Sequence, residues 1–156
     1  MELHLLLAKG WRRAPVVISF IALTQVAYAP PVTNGGPLGF GTIVATGSAG
    51  TVTVSPTGVR TAAGGVVLAS GAGVAAASFI ASGPNWRAYS IVLPGSATLT
   101  TGTKTMTVNT FKSNPTGGGV LNGSGSATVT IGATLHIGVA QSTGSYAGTF
   151  PVTLSF

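Results

Sequence analysis

Glycine interrupts this sequence so often that a helix has nowhere to run. Twenty-four of the 156 residues are glycine, and the stretches between them are short and rich in Val, Thr, Ser and Ala. Each interior glycine weakens a helix by about 1 kcal/mol relative to alanine, whereas β-branched residues fit the pleated surface of a sheet. The chain therefore has to be built from short strands and turns. Its length allows one domain and not comfortably two.

Alternation marks the strands. Phe40 to Ala45 is β-branched and ends in a Gly-Ser-Ala-Gly turn; Thr51 to Ser55 puts Val52 and Val54 on one face. Val66 to Ala69 and Val74 to Ala81 follow glycine pairs. Ala88 to Leu93 places Tyr89, Ile91 and Leu93 together before Pro94-Gly95 ends the run. Thr103 to Thr110 carries Met106 and Val108 on one face, with Phe111 out of phase, as a β-bulge would produce. Ala127, Val129 and Ile131 form one apolar row, and Leu135, Ile137 and Val139 another, with Gly132 between them. The last run is the most regular: Tyr146, Phe150, Val152, Leu154 and Phe156 share one face. Short strands at this spacing predict an all-β fold, a two-sheet antiparallel sandwich.

Charge is nearly absent. Only 5 % of residues are charged, and beyond Glu2 there is no Asp or Glu. Lys9, Arg12 and Arg13 cluster near the start, and only Arg60, Arg87, Lys104 and Lys112 follow. Four separated cations make no basic stripe, which argues against nucleic acid as a partner. With no cysteine, disulfides and thiolate metal sites are excluded.

The basic stretch Lys9 to Arg13 precedes an apolar run from Ala14 to Val26 and then Ala27-Tyr28-Ala29. This order, with small residues at the first and third places of the triplet, reads as a secretory signal over residues 1–29, cleaved after Ala29. The run is too short for a membrane span, so the mature form is expected to have none. The competing reading of the same run is a buried strand or an anchoring helix. On the signal reading, 30–37 is a short extension and 38–156 the sandwich, exported to the periplasm, cell surface or medium.

Catalysis has little to work with. General acid–base chemistry draws on His, Asp or Glu. The exported part offers only His136, set opposite the apolar row and expected to face solvent or a neighbouring subunit. A serine nucleophile needs a base, and the base an orienting partner; no side-chain carboxylate supplies one. Calcium and magnesium want carboxylates, and zinc wants several His or Cys ligands. Gly117-Gly118-Gly119 lacks the Lys-Ser/Thr of a phosphate loop. No enzyme, cofactor or metal is expected. Two features remain. Trp86 with Arg87 and Tyr89 could stack a sugar, the plainer reading being a loop aromatic that pins a strand entry. The apolar, uncharged last strand could pair with another polypeptide, the plainer reading being a closing strand.

The segments LGFGTIVATGSAGTVTVSPTGVRTAAGG, FIASGPNWRAYSIVLP and VTIGATLHIGVAQSTGSYAGTFPVTLSF resemble an exported bacterial family known as a domain of unknown function, DUF4402. Its marks here are Phe40-Gly41, Gly50-Thr51-Val52, and Gly144 to Phe150 leading into the last strand. That family is in turn similar to spore-coat U and chaperone-usher pilin domains. The similarity implies an incomplete immunoglobulin-like sandwich joined to like subunits by donor-strand exchange, with a periplasmic chaperone and usher as partners and strand 146–156 flanking the groove. One feature departs from this pattern. After cleavage at Ala29 only PPVTNGGP precedes Leu38, a poor donor. Either the subunit caps a fibre or acts alone, or Val16 to Val26 is retained and Ile18, Phe20, Ala22 and Val26 fill the pockets. The expected role is a structural subunit of a pilus or coat; the alternative is a monomeric surface adhesin that binds glycan through Trp86, Arg87 and Tyr89.

Overall fold

A computed structural model describes residues 16–20, 32–70 and 73–156. The leader expected over 1–29 and its cleavage point at Ala29 lie outside the described residues, except for Val16–Phe20. Along the chain the strands are β1 (Val16–Phe20), β2 (Val32–Gly36), β3 (Gly39–Val54), β4 (Arg60–Leu68), β5 (Val74–Ala75) and β6 (Ala77–Ser82). They continue with β7 (Ala88–Val92), β8 (Ser96–Thr101), β9 (Lys104–Asn114) and β10 (Gly118–Val120). β11 (Ser126–Ile137), β12 (Ser145–Gly148) and β13 (Thr153–Ser155) complete the set. Among the described residues there is no helix, and the protein is an all-β, curled antiparallel sandwich.

The larger sheet runs β2-β6-β11-β9-β8-β12-β1-β3-β4, with β5 on β3; the smaller is β10-β7-β13. All pairings are antiparallel except β1 with β12. The large sheet curls until its members meet again: β3 bonds β1 with its first half and β11 with its second.

β3 runs for 16 residues, through the two separate strands expected at 40–45 and 51–55. A register shift against β4 between Ala45 and Gly50 lets one strand turn from one neighbour to the next. Two irregularities reset the alternation, one at Gly41 (φ +69°) between Phe40 and Ile43 and this one between Ile43 and Val52, so that Phe40, Ile43, Val52 and Val54 all point inward. β11 likewise joins the two predicted rows into one strand, with 129, 131, 133, 135 and 137 buried in unbroken alternation. Val139 is not the third member of the second row: it lies beyond the strand and is 70 % exposed.

The bulge expected near Phe111 is present. Thr110 has φ +52°, and the β9–β11 register shifts between Gly132 and Thr134. Burial changes from even positions (Met106, Val108) to odd ones (Ser113) across it.

The terminal strand divides where one continuous run was expected. β12 pairs β8 and β1 in the large sheet, while β13 pairs β7 in the small one. Pro151 stands between them; it has no N–H to give a ladder and suits the crossing from one sheet to the other. The core between the sheets is made by Leu38, Phe40, Phe79, Leu99, Leu121, Tyr146 and Phe150 with their aliphatic neighbours. Burying each such side chain is worth about 1.5–3 kcal/mol.

Candidate assembly surface and loop platform

Among the described residues the two-residue β5 is paired only with β3, and four strands of three residues or more are likewise paired on one side only: β2 with β6, β4 with β3, β10 with β7, and β13 with β7. Their sequences are VTNGG, RTAAGGVVL, GGV and TLS. Soluble proteins usually guard such rims with charged side chains, above all Lys. Here the four rims together hold one charged residue, Arg60, which is half-buried and has its guanidinium bonded to backbone carbonyls. Its Nη1 donates to the carbonyls of Phe40 (3.0 Å) and Thr42 (3.1 Å), and its Nη2 to that of Ala69 (2.8 Å). The guanidinium thus clasps the bend of β3 to the end of β4. Beyond it, Thr61, Ala62, Ala63 and Gly64 are all exposed, and the cross-strand pair Val44 and Val67 faces solvent.

The terminal row has a different setting. Tyr146, Phe150, Val152 and Leu154 are all buried, and Phe156 packs against the core. Phe150 meets Phe111 with ring centroids 4.9 Å apart. Tyr146 Oη donates to the Ser142 carbonyl (2.8 Å) and accepts from Gln141 Nε2 (2.8 Å). The apolar face of 146–156 therefore belongs to the core, and what β13 offers a partner is its backbone edge. On the other side of β12, the amino-terminal β1 is seated between β12 and β3, with partners running Val17–Ser145 to Phe20–Gly148 along one edge and Val16–Ile43 to Ser19–Gly39 along the other.

The loop residues separate in the same way. Trp86 and Arg87 are at the surface. Tyr89 is buried and lies against Phe156, ring centroids 6.1 Å apart, so it does not join Trp86 in an exposed patch. Burial also raises its phenol pKa above the usual 10.0. The partner of Trp86 is the segment 121–126. Gly83 N donates to Gly125 O (2.8 Å), Trp86 N to Asn122 O (3.4 Å) and Leu121 N to Arg87 O (2.9 Å). Asn122 Oδ1 accepts from Ser124 N, Ser124 Oγ and Ser126 N.

His136 is exposed, as expected, with Nε2 2.9 Å from Asn109 Oδ1. Among the described residues no three His, Cys, Asp or Glu side chains lie close enough to hold a metal ion. Among the described residues no helix is long and apolar enough to cross a membrane. An open cleft of about 640 Å³ is lined by Ile91, Leu93, Phe111, Lys112 and Thr116 among others.

Fold and surface together define an all-β sandwich domain with uncharged rims and a knitted loop pair at one end. The chain belongs to the family described as a domain of unknown function, DUF4402, which matches residues 31–156. That match begins after β1 and takes in every other strand. No curated protein and no solved structure matches the chain.

Proposed function

We propose that the protein is a non-enzymatic structural subunit of a bacterial surface structure, a pilus or a coat, that joins like subunits by β-strand pairing. The observation that carries this reading is the set of rims with no free charge. A rim that bonds another chain gains main-chain hydrogen bonds along its length, and a guarding lysine would have to be desolvated to allow it. Bonding the Arg60 guanidinium to backbone carbonyls removes the one such obstacle from β4. Support for a donated strand comes from the seam between β12 and β3, which β1 occupies and which cleavage after Ala29 would leave open to a strand from a like subunit. Export is supported by the leader pattern of the first 29 residues, and the pilin-like resemblance supports a periplasmic chaperone and usher as helpers.

The test is to place a lysine on a rim. Ala63 on β4 and Thr153 on β13 are exposed, so A63K and T153K should each change folding stability by no more than about 0.5 kcal/mol. Sedimentation and electron microscopy of the secreted protein should show assembly reduced by at least one of them. Undiminished assembly in the double variant would sink the proposal.

A further inference from the structure

Trp86 combines two placements that each work against folding. It is 72 % exposed, more than any other large apolar side chain among the described residues. Its backbone also sits at φ +60°, in the left-handed region that a bulky side chain occupies only at an energetic penalty. A loop aromatic that pins a strand entry would be buried and unstrained. This one is neither, so stability does not account for it.

The surroundings hold the ring in place without covering it. Gly123 lies under its benzo edge, where a Cβ would come 3.1 Å from Trp86 Cζ2; only a glycine leaves that side open to full ring contact. The loops 83–87 and 121–126 are fastened by main-chain bonds, and the side chain of Asn122 spans its own turn with three. Of the neighbours that reach solvent, Asn85, Arg87, Asn122 and Ser124 are polar, and the apolar ones, Pro84 and Ala88, are small. Protein-binding hot spots set an aromatic anchor in a desolvated, well-packed patch, which is absent here. A flat ring on a loop fastened by main-chain bonds, among residues that carry amide, hydroxyl and guanidinium groups, suits a different ligand. The C–H face of a pyranose packs on an indole, while its hydroxyls take hydrogen bonds at the edge. No described residue carries an acidic side chain, so nothing there repels an anionic substituent, and Arg87 attracts one.

We propose that Trp86 and Arg87, backed by the 121–126 loop, form a binding site for an acidic saccharide, with the sugar ring stacked on the indole and its carboxylate met by the guanidinium. The site is remote in kind from rim pairing and stands or falls without it.

Calorimetric titration of the full chain with hexagalacturonate, with maltohexaose as the neutral counterpart, tests this. Hexagalacturonate should bind and maltohexaose should bind markedly less. Trp86→Gly and Trp86→Asn, both residues at ease at positive φ, should weaken binding about tenfold or more, a 1.4 kcal/mol change. Their melting temperatures should equal or exceed that of the parent, because strain is relieved. Arg87→Gln should weaken only the acidic probe. Binding of neither probe, equal binding of both, or a clear fall in melting temperature in both Trp86 variants would each overturn the proposal. Particle formation by Trp86→Gly, followed in parallel, keeps the outcome separate from the assembly reading.

Discussion

Gly132 sits at the crossing of three strands, where β11 changes partners. A Cβ there would lie 2.2 Å from the Val54 carbonyl oxygen and 2.5 Å from the Ser55 carbonyl carbon. Both are backbone atoms, which cannot swing aside as a flexible side chain would. Gly132→Ala should therefore destabilise the fold by about 1–3 kcal/mol, the usual range for overpacking a dense interior, measured by denaturant unfolding. Sequence reading placed Gly132 between two strands as an interruption. The structure keeps it inside one strand, because the close approach of the β3 end, not a turn, demands glycine. That approach is made by residues nearly eighty positions away, and no local pattern reports it. Tyr89 illustrates the same limit. Its alternation with Ile91 located it on an inward face correctly, yet its nearness in sequence to Trp86 placed both in one surface site. Strand alternation was the stronger guide of the two.

Among the strands, those with strict alternation were legible: β7, the first part of β9, β11 and the inward row of 146–156 bury most of the residues expected, with Leu93, Ala127 and Phe156 half-buried and Val139 exposed. β8 was not foreseen, since Ser96–Thr101 offers one fully buried apolar side chain, Leu99, and takes its place through its ladder with β9. The division of the last strand was also missed, because Pro151 lies on the exposed parity and leaves the apolar row unbroken. The rims were legible only in part. Low charge was plain from composition, whereas which strands stand at an edge depends on topology. Their pairing has a consequence that can be measured. With no cation free on any of the four rims, electrostatics contributes little, and a screening length of about 3 Å at 1 M salt has little to act on. Assemblies should persist in molar sodium chloride, followed by sedimentation, and dissolution under those conditions would contradict main-chain pairing as their basis.

Taken as a single body, the protein has an unusual relation to pH. Acid unfolding ordinarily proceeds by protonating carboxylates that are paired in the native state. Beyond Glu2 this sequence has no carboxylate side chain, so its melting temperature at pH 3 should stay close to that at pH 7. At the alkaline end Tyr89 supplies a limit. Its folded pKa is raised above 10.0 by burial, so the unfolded chain loses the phenolic proton first. The contribution is intact below pH 10 and is lost as pH climbs through the folded value. Melting temperature should decline above about pH 10, and Tyr89→Phe should lessen the decline.

The continuity of β3 bears on how such a subunit carries a pull. β4 is laddered to β3 on both sides of its bend, and the two halves of β3 are in turn laddered to β1 and to β11. Tension entering at the β4 margin is thus handed to a single covalent spine and shared between opposite parts of the barrel wall. Several rows of bonds would then have to shear together, which on the proposed reading would let a subunit bear load passed along its β4 margin.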